Sequence, residues 1–222
     1  RCVASKDPQR SAYILFAVCD VLAYTGPCLL AAECCQLVLK QLDLSPEHHI
    51  RVLIEQSRSL RLAGQIEPSR ISIKWALAKA EEIGNRTLQA TSHGEKAMIH
   101  NHSGEVDKAL EHQLQAVQLH KQEGNRGSEG RCLGNLGINY RKRGEFEKAQ
   151  SAYEQALAIH REVGDRPSQA IMLNNLANLY KRENRLQEAR SYLQEAIDIC
   201  EECGNHRDQC IMLGNLGDVY LQ

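Results

Sequence analysis

The chain has 222 residues, and its 15 glycines and 5 prolines exclude collagen-like and low-complexity proteins. Its 27 lysines and arginines are balanced by 28 aspartates and glutamates, so the net charge of -1 provides no overall field that would recruit nucleic acid or a charged membrane. Hydrophobic residues make up 42% and aromatic residues 5% of the chain, which favours a helical core of aliphatic side chains. We expect that the chain neither binds nucleic acid nor inserts into a membrane.

A motif recurs every 40 residues along the chain. The sequence LGNLG at 133–137 returns as LNNLA at 173–177 and as LGNLG at 213–217, and a tyrosine follows three residues after each copy. A fixed period of this length is the signature of a repeat architecture.

The period divides the chain into successive units. In chain order it predicts a lead-in over 1–10, a degenerate hairpin over 11–45, hairpins over 46–85, 86–125, 126–165 and 166–205, and a single first helix over 206–222. A lone hairpin leaves apolar side chains exposed to water, so we expect neighbouring hairpins to stack.

Each unit follows helical periodicity. Leu133, Leu136 and Tyr140 fall at the three-and-four spacing that lines one face of a helix, and a second stripe of the same kind follows. Between the two stripes lies Gly144, which ends a helix in the left-handed conformation at low cost. Asn184 takes that position in the next unit. Small residues such as Gly137 suit places where two helices approach closely, with tyrosines beside them.

The loops between units carry residues that begin helices. Asn85, Asn125, Asp165 and Asn205 recur at this position, where a side-chain oxygen caps the free amides of the next helix. Pro167 follows Asp165 by two residues, as an early helix residue does.

These landmarks resemble the tetratricopeptide repeat family, most strongly over 104–222. The chain is most similar to the longer-repeat subset found in Leu-Gly-Asn spindle-orientation adaptors, kinesin light chains and bacterial signalling proteins. The resemblance implies an all-α fold, a right-handed α-solenoid of antiparallel helix hairpins. It also implies a concave face, built by the first helix of every unit, that binds a peptide or helix of another protein.

Helical spacing assigns polar side chains to this face. The candidate peptide-binding residues are Arg131, Asn135, Ile138, Arg141, Lys142, Asn174, Asn175, Asn178, Lys181, Arg182 and Asn215. The same spacing adds Gly134, Ile171, Gly214 and Asp218, and upstream Arg51, Glu55, Arg58, Arg61, Glu95, Met98, Asn101 and His102.

Two features of the face carry the prediction. The asparagines present donors and acceptors that bind the backbone of an extended segment, or else they join neighbouring helices of the array. The basic residues favour an acidic segment in the partner, or else they complement helix dipoles.

The nine cysteines indicate reduced thiols in a cytoplasmic protein, because they are odd in number and irregularly spaced. Cys200, Cys203, His206 and Cys210 are close enough in sequence to suggest zinc, but the cysteines fall at ordinary repeat positions. We therefore expect no metal.

Nothing in the sequence resembles a nucleophile elbow, a kinase loop or a phosphate-binding loop. His100, His102 and His112 form a local concentration that we interpret as solvated. We expect neither a cofactor nor enzymatic activity.

The leading hypothesis is a non-catalytic scaffold or adaptor whose partner is a protein or peptide. One alternative is a regulatory or sensor region of a larger signalling ATPase, kinase or transcription regulator. Another is a module that self-associates into a homo-oligomer through its end repeats.

Overall fold

The computed structural model describes residues 15–19, 26–41 and 43–222, and within them all regular structure is α-helical. The helices are α1 (15–19), α2 (Cys28–Gln41), α3 (Pro46–Leu62), α4 (Ile66–Glu82), α5 (Arg86–His102), α6 (Val106–Gln122), α7 (Arg126–Arg143), α8 (Phe146–Glu162), α9 (Arg166–Arg182), α10 (Leu186–Glu202) and α11 (His206–Tyr220). The predicted lead-in at 1–10 lies outside the described residues.

The chain divides into two compact units, unit 1 over Arg1–Glu123 and unit 2 over Gly124–Gln222. In unit 1, α3 pairs with α4 and α5 pairs with α6, while α4 packs against α5. In unit 2, α7 pairs with α8 and α9 pairs with α10, while α8 packs against α9 and α10 against α11. The prediction of an all-α chain built of successive antiparallel hairpins, as in an α-solenoid, is confirmed.

The period of 40 residues has a simple structural origin. Helices α4, α5 and α6 each contain 17 residues, and turns of three residues separate them. A helix of this length extends for about 25 Å. Two such helices with their two turns make up one repeat.

The turns use the residues that the sequence analysis singled out. Gly144 has φ 80° and Asn184 has φ 59°, so both adopt the left-handed conformation that ends a first helix. At the start of the following units, Asn85 Oδ1 accepts a hydrogen bond from the backbone N–H of Leu88, and Asp165 Oδ1 accepts one from Ser168. Asn125 and Asn205 form the same caps, and Pro167 lies in the first turn of α9.

Small residues allow close packing within a hairpin. A Cβ atom added to Gly137 would lie 2.5 Å from the ring of Tyr153, which is completely buried. Ala149 and Ala156, on the same helix as Tyr153, are also fully buried. The α7–α8 hairpin therefore packs a tyrosine ring directly against a helix backbone.

The first hairpin of unit 1 has cysteines in its core. Cys19 of α1 and Cys35 of α2 are fully buried, with their sulfur atoms 3.7 Å apart, and they pack with Leu15, Val38 and Val52. All the cysteines that the structure describes are free thiols.

Three imidazoles stack in the α5–α6 hairpin, so the interpretation of His100 as solvated is wrong, whereas His112 is half-buried. His100 is buried and stacks on His112 with a centroid distance of 5.4 Å, and His112 stacks on His93 at 5.3 Å. Tyr180 and Tyr192 stack at 5.2 Å in the same repeat register of the α9–α10 hairpin. His100 and His112 thus occupy the positions of this tyrosine pair.

Charged groups flank the histidine stack. Glu105 Oε2 lies 2.7 Å from His100 Nδ1 and accepts a hydrogen bond of 2.7 Å from Arg70 Nη2. Lys108, followed by Arg70 and His100, holds the pKa of the Glu105 carboxyl far below its usual range. His102 is exposed.

Candidate functional site

The first-helix face of unit 2 is formed by α7, α9 and α11. Asn135, Asn175 and Asn215 occupy the same position on these three helices, 40 residues apart, and all three are half-buried. The helices bring the predicted asparagine row to one side of the unit because each hairpin repeats the orientation of the previous one.

Three of the predicted asparagines bond within unit 2. Asn215 Nδ2 donates a hydrogen bond of 2.7 Å to Asn174 Oδ1, joining α11 to α9. Asn178 Nδ2 donates a bond of 3.0 Å to the backbone carbonyl of Asn174, within α9. Part of the hydrogen-bonding capacity of these residues is therefore used inside the array, as in the alternative interpretation that asparagines join neighbouring helices.

Asn135 and Asn175 differ from that group. Both side chains are half-buried, and neither carboxamide has a hydrogen-bond partner among the residues that the structure describes. Ile138, which lies on the same helix one turn after Asn135, is also half-buried. These two carboxamides therefore keep their donors and acceptors available.

Gly134, which helical spacing adds to the predicted face, leaves no open space beside the asparagine row. It is buried, and an added Cβ would lie 2.9 Å from the sulfur and methyl groups of Met172 on α9. The space beside this glycine is therefore filled by the neighbouring helix.

Two of the predicted basic residues are held by internal contacts. Lys181 Nζ lies 3.3 Å from Asp218 Oδ2, so a carboxylate of α11 already neutralises it in part. The guanidinium carbon of Arg182 lies 3.5 Å from the ring centroid of Phe146, at the start of α8. Neither side chain is a free cation.

The remaining basic residues lie on α7. Arg131 is exposed, and its Nη2 donates a hydrogen bond of 3.1 Å to the hydroxyl of Ser128. Arg141 and Lys142 are exposed near the end of the helix. Burial raises the pKa of Tyr153, and the positive charge of nearby Arg141 opposes this shift. Within the described part of the chain, no carboxylate forms an ion pair with Arg131 or Arg141.

The predicted lining of unit 1 contains a buried ion-pair network. Arg61 Nε lies 2.8 Å from Glu95 Oε1, and both side chains are at most 10% exposed. Arg58 Nη1 donates to Glu55 Oε2 at 3.0 Å. The expectation that Arg61, Glu95 and Glu55 line an accessible face is wrong, because each is buried and the charges satisfy one another.

Cysteines near the end of α10 are not arranged as a metal site. Cys200 is buried with its sulfur 3.6 Å from Met212 Sδ, whereas Cys203 and Cys210 are exposed. The described residues contain no group of three side chains with metal-ligand geometry.

Among the helices that the structure describes, none has both the length and the apolar character required to cross a membrane.

Two polar residues escaped the sequence analysis. Asn139 is completely buried, and neither atom of its carboxamide has a partner in the described part of the chain. His93 joins the histidine stack. The repeat register indicates that both side chains are at least partly buried. Asn139 aligns with Leu179 and His93 aligns with Leu173, and both of these leucines are buried.

Several solved structures share this fold at low sequence identity. A Signal Transduction ATPase with Numerous Domains protein with a tetratricopeptide repeat sensor, from Pyrococcus horikoshii, has a TM-score of 0.80 and 17% identity, covering 96% of this chain and 33% of that one. The nearly identical repeats of a putative kinesin light chain from Podosopora anserina give a TM-score of 0.65 and 20% identity, covering 90% of this chain and 99% of that one.

A Rap protein complexed with Competence and Sporulation Factor has a TM-score of 0.70 and 16% identity, covering 97% of this chain and 65% of that one. No curated protein matches the chain in sequence. The family model described as tetratricopeptide repeat matches residues 88–162 and 168–222, more than half of the chain. Proteins with this repeat are in general non-catalytic interaction scaffolds. The chain belongs to the tetratricopeptide repeat family.

Proposed function

We propose that the first-helix face of unit 2 binds an extended segment of a partner protein, and that the chain serves as a non-catalytic scaffold. One observation carries this proposal: Asn135 and Asn175 have half-buried carboxamides whose hydrogen-bonding groups are free of partners in the described structure. A ligand that covers a half-buried polar group binds more tightly if it forms a hydrogen bond with that group, because a polar group that loses water without gaining a partner lowers the affinity.

The spacing of the two residues suits an extended chain. Packed helices lie about 8 to 10 Å apart, which corresponds to about three residues of extended peptide. A carboxamide donates to a backbone carbonyl and accepts from a backbone N–H. Asn135 and Asn175 would therefore bind main-chain groups about three residues apart, with little demand on the side chains of the ligand.

The charge of the face favours an acidic ligand. Arg131 and Arg141 are exposed on α7, and neither is paired with a carboxylate among the described residues. Guanidinium groups form directional paired hydrogen bonds with carboxylates. Lys181 would contribute less, because Asp218 lies beside it.

A peptide library displayed on phage, with acidic and basic residues equally represented at varied positions, provides a defined probe. The full chain should select acidic peptides, and the double variant Asn135→Ala, Asn175→Ala should bind the best of them about 30-fold more weakly. This estimate takes a net loss of about 1 kcal/mol for each asparagine, the value of one hydrogen bond. Gln194→Ala on α10 removes an exposed amide from a second helix and is the matched control.

Helical content, measured by circular dichroism, should be the same for all three proteins. Equal affinities of the double variant and the control for a selected peptide would exclude the two asparagines from the site. Selection of basic peptides would contradict the assignment of Arg131 and Arg141.

A second candidate function is that of a sensor region in a larger signalling protein. The support is the similarity in fold to the protein with a tetratricopeptide repeat sensor, of which the chain spans one third. The complete reading frame tests this idea: a nucleotide-binding or kinase domain in the same chain would support it, and repeats alone would contradict it.

A further inference from the structure

The outer face of α4, the second helix of its hairpin, is apolar at positions where α6, α8 and α10 have polar residues. The 40-residue register aligns Ile71 with Glu111, Ser151 and Ser191, and Trp75 with Gln115, Gln155 and Glu195. Ile71 and Trp75 are each 59% exposed. Together with exposed Pro68 and Ala78 they form a row at helical spacing, which we call the α4 stripe.

An open groove lies next to the α4 stripe. It has a volume of about 470 Å³ and lies between α2 and α4 above α3. Its lining combines apolar side chains with polar ones: Leu29, Ala32, Leu60, Pro68 and Ile71, and Glu33, Gln36, Gln56 and Ser72. Leu29 is 50% exposed, so α2 adds to the apolar surface. Contiguous exposed apolar surface on a folded protein usually marks an interaction site.

The charges beside the α4 stripe indicate what covers it. Glu67 precedes Ile71 by four residues, and its side chain is 82% exposed; its Oε1 lies 3.4 Å from Arg70 Nε, and its Oε2 can accept from a second cation. Lys74 follows Ile71 by three residues, is exposed, and has no ionic partner among the described residues. The stripe therefore has a negative group on one side of its centre and a positive group on the other.

A second copy of the chain complements this pattern. If two α4 helices cross in antiparallel orientation about a two-fold axis at Ile71, then Lys74 of each copy lies beside Glu67 of the other. The same arrangement brings Trp75 of each copy to Pro68 and the adjoining groove of the other. An isologous interface of this kind is the commonest form of protein oligomer.

We propose that the chain forms a two-fold symmetric dimer through the α4 stripe, in which Trp75 of each copy occupies the groove between α2 and α4 of the other. This interface lies in unit 1, where it uses α4 and also α2 of the first hairpin, and none of its residues belongs to the first-helix face of unit 2. An experiment that refutes the dimer therefore does not refute the peptide site, and the reverse also holds.

The sole tryptophan of the chain reports directly on this interface. Sedimentation velocity and tryptophan emission of the full chain are measured together from about 1 µM to about 100 µM. The proposal predicts a shift from monomer to dimer with rising concentration, and a blue shift of the Trp75 emission over the same range because the indole leaves water.

The repeat supplies substitutions that the fold already accommodates. Ile71→Ser and Trp75→Gln introduce the residues that occupy these positions in α8, and each should weaken dimerisation about tenfold or more. In Ile71→Ser, the blue shift of the Trp75 emission should begin only at about tenfold higher concentration than in the wild type, or lie beyond the range measured. Gln155→Ala, at the position of α8 that corresponds to Trp75, should leave dimerisation unchanged.

A charge exchange tests the orientation independently of the apolar contacts. Lys74→Glu should weaken the dimer, and the double variant Glu67→Lys, Lys74→Glu should restore most of its strength, because the exchange preserves both ion pairs between the copies and loses only the contact of Glu67 with Arg70 within each copy. A chain that remains monomeric with unshifted emission at about 100 µM overturns the proposal. So does a dimer whose strength is the same in Trp75→Gln and in Gln155→Ala.

Discussion

The contact between Gly137 and Tyr153 predicts opposite effects for one substitution at two equivalent positions. Gly137 and Gly217 occupy the same position of the repeat and are 80 residues, or two repeats, apart. A Cβ atom at Gly137 would lie 2.5 Å from the Tyr153 ring, whereas nothing lies within 4 Å of a Cβ atom at Gly217. Replacing each glycine by alanine therefore introduces the same change in helix propensity with very different packing.

The magnitudes follow from the two environments. Alanine is favoured over glycine inside a helix by about 1 kcal/mol, so Gly217→Ala should stabilise its helix by up to that amount. At Gly137 the ring must move by roughly 1 Å within a packed core, and overpacking of this kind costs about 1 to 3 kcal/mol. Because Tyr153 is rigid and fully buried, we take the upper end and expect a net loss of about 2 kcal/mol.

Urea unfolding followed by far-ultraviolet circular dichroism measures both variants. The two proteins should differ by about 2 to 3 kcal/mol in their free energy of unfolding, with wild type between them. If Gly137→Ala is as stable as Gly217→Ala, the close approach of Tyr153 to the α7 backbone is not a constraint on the fold.

Three further predictions concern unit 1 and the helix caps. Burial, together with the charge of neighbouring His112, lowers the pKa of His93 from 6.5 to about 4. The unfolded chain therefore binds more protons between these values, and the free energy of unfolding should fall as the pH drops from 6.5 towards 4. Replacing His93 by leucine should flatten this dependence in pH-dependent urea titrations. Glu95→Ala should cost about 3 kcal/mol because it leaves Arg61 buried without its partner, and replacing both residues by methionine should recover most of the loss in thermal unfolding. Asp165→Ala should cost about 1 kcal/mol through loss of the cap, detected by calorimetry, and serine at this position should preserve the stability.

The secondary structure could be predicted from the sequence because its determinants are local. Gly144 and Asn184 end first helices, and Asn85 caps the next one, through backbone conformation and bonds that span a few residues. The 40-residue register then identified which helices pair, since the same small and tyrosine residues recur at each close contact.

The candidate site was predictable to a smaller extent. The register placed Asn135 and Asn175 on one face, but it does not reveal that Asn215 bonds to Asn174 whereas Asn135 bonds to nothing described. Such pairings depend on side-chain rotamers and on the spacing between helices. The ion pair between Arg61 and Glu95, 34 residues apart, belongs to the same class of contact.

The burial of His100 could have been inferred from the register. His100 occupies the position of Tyr140 and Tyr180, which contribute to the interior of their hairpins. Composition alone suggested a solvated imidazole, but the position in the repeat determines the environment. For this chain, alignment of the repeats with one another is the better guide to burial.

The helix lengths of 18 residues in α7 and 17 in α9 set how wide the first-helix face is. A standard repeat of this family has about 34 residues, so each helix here gains nearly one turn, or roughly 4 to 5 Å. The added turn provides one more row of side chains across the array for every hairpin. A ligand crossing α7 and α9 can therefore differ in breadth, as well as in length, from one that fits the shorter repeat, and specificity can reside in residues for which the shorter repeat has no counterpart.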